Sequence, residues 1–232
     1  MAAQVNLLEF ADRATASRAA AGLMADSIRA CLDRQDRCSI VVSGGSTPGP
    51  CFDRLSGMPL DWSRVTVIPS DERWVPPDHP DSNERLIRER LLVNQAASGQ
   101  VLPLFRKDVE PQTAVSLIGR DLAALATPVS CALLGMGEDG HFASLFPDLD
   151  GLSQALDPNS EKPCLVVKTA SSPYLRISLG LGFLLRSRTT ILLISGAEKH
   201  RVFEAAAAGG TAYPIESLVW QCEDPLTVVW AP

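Results

Sequence analysis

The sequence predicts an α/β protein, with a mostly parallel sheet and helices packed on both of its faces. Three observations lead there. Segments of helical period alternate with short β-rich runs along the chain. Those runs are strings of Ile, Val and Leu without apolar–polar alternation, the pattern of strands buried on both sides. Four of them are followed at once by Gly-rich or polar residues, after Val42, Ile68, Leu134 and Ile194. Parallel strands end on one edge of their sheet, and ligands bind in the crevice there, so the four segments are expected to meet in space. No internal repeat, low-complexity tract or Gly/Ser-rich linker interrupts the pattern, and residues 1–232 are read as a single domain.

The elements follow in order. Ala20, Leu23, Met24, Ile28, Cys31 and Leu32 recur at helical spacing and predict an amphipathic helix over about residues 14–34. A strand over 39–42 runs into Ser43-Gly44-Gly45-Ser46-Thr47-Pro48, and a second over 65–68 into Pro69-Ser70-Asp71-Glu72-Arg73. Residues 82–92 read as helix, with Ser82 or Asn83 at its start, and residues 113–125 as another. A strand over 129–134 leads into Gly135-Met136-Gly137-Glu138-Asp139-Gly140-His141. Residues 164–168 and 175–179 read as strands, 182–186 as helix and 189–194 as strand. A helix then runs through Ala208, and residues 226–229 form the last strand.

Composition narrows the function. The chain has 232 residues, enough to bury one sizeable core without disulfide staples. With 21 Lys plus Arg against 27 Asp plus Glu, the net charge is −6, which argues against broad binding to nucleic acid or an anionic membrane. An anionic ligand must then be held by a few aimed groups. The 6 Cys form no C-x-x-C pair and no zinc-spaced Cys/His cluster, so no metal is expected and the thiols read as reduced, as in a cytoplasmic protein. The first thirteen residues lack a basic stretch followed by an apolar run, so no signal peptide is expected. No apolar run approaches the roughly 20 residues that span a bilayer.

Each strand-end segment offers chemistry, and each has a plainer alternative. In the Ser43 to Pro48 loop, Gly44 and Gly45 let backbone approach a ligand, Ser46 and Thr47 add hydroxyls, and Pro48 suits the first turn of a following helix. Backbone N–H groups at such a helix start face an anion. The alternative is a tight turn without a ligand. Arg73 can grip a carboxylate or phosphate and Asp71 can hold a hydroxyl, or the two form an ordinary surface ion pair. The 3 His are His79, His141 and His200. His141 lies in a Gly-rich turn two residues after Asp139, where a carboxylate can fix its tautomer while the imidazole takes a proton from water. Capping of the next helix is its alternative role. His79, among prolines, reads as a surface loop residue, and His200 as a helix-face residue. Arg176, on a β-like run, and Lys199, near a helix start, can each bring positive charge to a phosphate or be ordinary surface cations. No G-x-S-x-G elbow is present, which disfavours a serine hydrolase.

In order, the Ser43–Pro48 loop, Asp71-Glu72-Arg73-Trp74-Val75-Pro76 with Ser82-Asn83 after it, and the Gly135 to His141 turn running on through Ala143-Ser144-Leu145-Phe146-Pro147 resemble the family of 6-phosphogluconolactonases and glucosamine-6-phosphate deaminases. Arg176 and Gly196-Ala197-Glu198-Lys199 fall in family-like order, so the resemblance runs from about Ser39 to the C-terminus. It implies a three-layer α/β/α fold with a Rossmann-like, mostly parallel sheet. It also implies hydrolysis of 6-phospho-D-glucono-1,5-lactone to 6-phospho-D-gluconate, in the oxidative branch of the pentose phosphate pathway. By position, Gly44, Gly45, Ser46, Thr47, Arg176 and Lys199 would hold the phosphate. His141 would be the general base, oriented by Asp139, and Asp71 and Arg73 would contact sugar hydroxyls or the phosphate. No cofactor is implied. The partner expected is a small phosphorylated sugar lactone, with the chain a monomer or weak homodimer.

Two departures bear on the choice within the family. The deaminases carry a Glu five residues after the His for a proton relay, and Phe146 stands there; a phenyl ring passes no proton, which disfavours deamination. Phe142 stands where many lactonases have Thr, so a hydroxyl contact from that position is not expected. The rival readings are a glucosamine-6-phosphate deaminase/isomerase and a sugar-phosphate sensor without turnover.

Overall fold

The computed structural model describes residues 4–125, 128–170, 172–222 and 224–232. Among these residues the strands are β1 (Val5–Glu9), β2 (Cys38–Val42), β3 (Val65–Pro69), β4 (Asp71–Arg73), β5 (Gln100–Val101), β6 (Val129–Leu134), β7 (Cys164–Val167), β8 (Arg176–Leu179), β9 (Ser187–Ser195) and β10 (Leu226–Ala231). The α-helices are α1 (Arg13–Leu32), α2 (Gly49–Ser56), α3 (Asn83–Leu86), α4 (Pro111–Ala123), α5 (Leu152–Ala155), α6 (Leu181–Leu184), α7 (Ala197–Ala208) and α8 (Pro214–Gln221).

Seven strands form one sheet in the order β1-β10-β9-β6-β2-β3-β5, and every neighbouring pair is parallel. Its central strands are buried along their length because both faces are covered. In β2, Val41 joins the core on one face while Ile40 and Val42 join the core on the other. In β6, Ala132 and Leu134 share the side of Val41, and Cys131 and Leu133 the side of Ile40. α1 and α2 close the Ile40 face, and α4, α7 and α8 close the Val41 face, so the three layers expected are present. α1 begins where the Asp12 side chain accepts from the Thr15 N–H at 2.7 Å, and its buried stripe of Ala16, Ala20, Ala21, Met24 and Ile28 is mostly small, which lets it lie close to the sheet.

Three expectations need revision. The strands at 164–168 and 175–179 do not enter the parallel sheet: β7 and β8 pair antiparallel with each other, and β8 pairs antiparallel with β4, giving a separate sheet β4-β8-β7. The connection from Val167 to Arg176 is too short for the crossover that parallel neighbours require. The helix at 82–92 is two pieces, α3 followed by a π-helical turn at Ile87–Leu91, and Ser82 is its cap, accepting from the Arg85 N–H at 3.1 Å. Pro48 sits just before α2, with Pro50 inside its first turn. β1 and α8 carry no clear signal in the sequence: β1 is a half-exposed edge strand, Val-Asn-Leu-Leu-Glu, and α8 opens on a proline. No helix among the described residues is long and apolar enough to cross a membrane.

Candidate active site

The four strands that precede the polar segments are consecutive in the sheet, β9-β6-β2-β3, and their carboxyl ends lie side by side. From β2 the chain moves outward to β3 and later returns to β6 on the other side, so the loops after β2 and β6 diverge and open a crevice between them. A cavity of about 260 Å³ occupies it. Gly44, Gly45, Ser46, Thr47, Asp71, Arg73, His141, Arg176 and Lys199 all line it. Asp139 is not on the wall but is bonded to a residue that is. A larger cavity of about 450 Å³ lies at the opposite, amino end of β9, between Arg186, Arg188 and Cys222, without an imidazole or a glycine-rich loop.

His141 is held by the turn that the sequence singles out. The Gly137 N–H donates to the His141 carbonyl at 2.9 Å, folding the turn back on itself. Nδ1 of His141 lies 2.6 Å from Oδ1 of Asp139, which also accepts from the His141 N–H at 3.2 Å. A Cβ on Gly137 would stand 2.3 Å from that Nδ1 and 2.5 Å from the carboxylate oxygen, so only glycine leaves room for the pair. With Nδ1 committed to Asp139, Nε2 has no hydrogen-bond partner among the described residues. An Nδ1–H donated to a carboxylate leaves Nε2 as the basic nitrogen. No helix follows directly, so His141 is not a helix cap.

The opposite wall is built around Glu72, a buried carboxylate the sequence reading left unused. It accepts from the N–H groups of Asn83 (2.7 Å), Glu84 (2.8 Å) and Arg73 (2.9 Å) and from the Ser82 hydroxyl (3.0 Å). Burial pushes its carboxyl above the usual range, and these donors oppose the shift. This clasp explains why Ser82-Asn83 accompanies Asp71-Glu72-Arg73 in the motif. It also delivers Asn83, a lining residue that sequence reasoning missed. Asn83 Oδ1 accepts from Arg73 Nη1 at 2.8 Å, and its Nδ2 donates to the Asp71 carbonyl at 2.8 Å. A Cβ on Gly44 would fall 1.8 Å from Asn83 Oδ1, so the glycine there admits the amide between loop and arginine.

Charge inside the cavity is unequally anchored. Asp71 is 5% exposed; it accepts from the hydroxyls of Ser70 (3.0 Å) and Ser144 (2.5 Å) and faces Arg176 Nη1 at 3.5 Å. Burial draws the Arg176 pKa down, and Asp71 opposes that shift. Lys199, on the first turn of α7, has no ion-pair partner among the described residues. Three cations therefore face one carboxylate that is already engaged. Phe142 is fully buried in the core, as its apolar ring requires, and offers the cavity nothing. Phe146, 6% exposed, stacks on the His141 ring. His79 lies in a partly exposed turn where its Nδ1 accepts from the Asp81 N–H, and His200 sits on α7 against Trp230.

Known proteins share this architecture. The family model for glucosamine-6-phosphate isomerases/6-phosphogluconolactonase matches residues 11–230. A 6-phosphogluconolactonase of Pseudomonas aeruginosa is 37% identical over 232 residues, covering 99% of this chain and 96% of that protein. One of Mesorhizobium japonicum is 36% identical over 230 residues, covering 99% and 97%. The crystal structure of a 6-phosphogluconolactonase from Shewanella baltica superposes with a TM-score of 0.93 at 31% identity, over 99% of this chain and 98% of that one. A monomeric glucosamine-6-phosphate deaminase shares the fold, with a TM-score of 0.81 at 18% identity over 98% of this chain and 97% of that one. By sequence and by fold, the chain belongs to the glucosamine-6-phosphate isomerase/6-phosphogluconolactonase family.

Proposed function

We propose that this chain is a cytoplasmic 6-phosphogluconolactonase that hydrolyses 6-phospho-D-glucono-1,5-lactone by water activated at His141. The observation that carries the reading is His141, paired with Asp139 behind it, on the wall of a cavity that three cations share. The phosphate is held by Lys199, Arg176 and the Gly44 to Thr47 loop. Asp71 and Arg73 face the sugar, and the C1 carbonyl lies toward His141. Nε2 takes a proton from water as its oxygen bonds to C1, and the charge moves onto the carbonyl oxygen. A backbone N–H at the Gly135–Met136 end of the turn, which lines the cavity, serves as donor to that oxyanion, since those of Gly137 and Gly140 are bonded within the turn. Its collapse breaks the bond from C1 to the ring oxygen, which takes the proton back from the imidazolium. Asp139 stabilises the cation between these two transfers.

The deaminase reading loses its support at Phe146, where an apolar ring fills the space a relay carboxylate would need. A sensor would leave the Asp139–His141 pair without work. The test follows acid release from freshly made lactone with and without the protein, corrected for spontaneous hydrolysis. Acceleration is expected. Thermal stabilisation by the ligand without acceleration rejects the enzyme in favour of the sensor, and ammonia release from glucosamine 6-phosphate favours the deaminase.

A further inference from the structure

We propose that Phe146 is a positioning residue that sets the imidazole of His141 and the guanidinium of Arg176 against one aromatic ring, so that base and phosphate anchor keep a fixed separation. This rests on the roles given to His141 and Arg176 above. The ring centroid of Phe146 lies 4.3 Å from that of His141, with 35° between their planes. Cζ of Arg176 lies 5.3 Å from the same centroid. The ring cannot drift, because it is buried in the core with Leu145 and Phe142 and its backbone is tied by the Leu149 N–H donating to the Phe146 carbonyl at 3.1 Å.

The physical need is specific. The hydrogen bond from Nδ1 to Asp139 fixes one end of the imidazole but leaves the ring free to turn about that bond. A flat surface against its face removes the remaining freedom, which an aliphatic side chain does poorly. Arg176 has a similar deficit, since its contacts to Asp71 and Ser144 are long, at 3.5 and 3.4 Å, and among the described residues its short side-chain bond is from Nε to Ser172 Oγ at 3.0 Å. The negative face of a phenyl ring attracts a guanidinium, and its flat surface gives the imidazole a face to lie against.

The test compares Phe146→Leu with the ring-keeping Phe146→Tyr. Misalignment of a reacting group costs up to about a hundredfold, so the leucine variant is expected to lose about ten- to a hundredfold in kcat and to raise KM severalfold. The tyrosine variant is expected to keep most of both. In a His141→Ala background, Phe146→Leu is expected to change kcat no further, because the ring then has no imidazole to align. Normal kcat and KM in the leucine variant overturn the proposal, as does a kcat loss that simply multiplies with that of His141→Ala. Equal losses in the leucine and tyrosine variants overturn it too. If leucine prevents folding, Phe146→Met, whose flexible side chain adapts to the same space, takes its place in the comparison. Near-normal turnover of His141→Ala alone is a different result and rejects the base itself.

Discussion

Lys199 and Arg176 bring like charge to the same cavity, yet their removal has different consequences. Lys199 has no carboxylate partner among the described residues to leave behind, so Lys199→Ala is expected to raise KM by about ten- to a hundredfold, the worth of a charge-assisted hydrogen bond, with the thermal midpoint unchanged. Arg176→Ala is expected to raise KM and also to lower the midpoint, because Asp71 then stays buried without its cation. Steady-state kinetics beside a melting curve separate the two; an unchanged KM in both variants rejects the phosphate anchor. His141→Ala is expected to lower kcat at least about a hundredfold with the fold intact, read by lactone hydrolysis and circular dichroism. His141, Asp139 and the glycine-rich loop are legible in the sequence because glycines crowd around polar residues just after apolar runs. Asn83 and the stacking face of Phe146 are not, since both act through contacts with residues far away in the chain, Asn83 on Gly44 and Phe146 on Arg176.

At the scale of elements, the second wall depends on one clasp between β4 and the start of α3. Glu72 offers both carboxylate oxygens to donors, Oε1 to Arg73 and Asn83, Oε2 to Ser82 and Glu84. An amide supplies only one acceptor oxygen and turns its NH₂ toward the remaining donors. Glu72→Gln is therefore expected to cost about 1–3 kcal/mol in denaturant unfolding and to raise KM through the displacement of Asn83 and Arg73. Unaltered stability and KM would show that the clasp supports nothing. The central strands and α1 are readable because burial on both faces, or on one helical stripe, leaves its pattern in the sequence. The small sheet is not: β4 is the polar triplet Asp-Glu-Arg, whose carboxylates are buried through hydrogen bonds rather than through apolar character. Its placement of Arg176 beside Asp71 is a product of the antiparallel pairing of Asp71 with Ser178 and Arg73 with Arg176.

The molecule as a whole follows from the sheet order, which sets four strand ends next to one another and so assembles a site from segments spread over most of the chain. The two cores enclose five of the six cysteines, Cys31, Cys38, Cys51 and Cys131 in one and Cys164 in the other, and Cys222 is half-buried. Burial pushes the thiols of Cys51, Cys131 and Cys164 up to about 12 and that of Cys222 up to about 11, and the six cysteines form no disulfide. Near neutral pH the native protein is expected to leave Cys51, Cys131 and Cys164 unmodified by a thiol reagent and to expose them on unfolding, as mapped by mass spectrometry. Rapid native labelling of all three would contradict that packing. The division between two sheets reaches further. His141 follows a strand of the large one, whereas Arg73 and Arg176 stand on the small antiparallel one. Ser144, three residues beyond His141, accepts no such separation: its N–H donates to the Ser178 hydroxyl and its own hydroxyl donates to Asp71, so reseating the small sheet around a longer or shorter sugar phosphate would shift the imidazole with it.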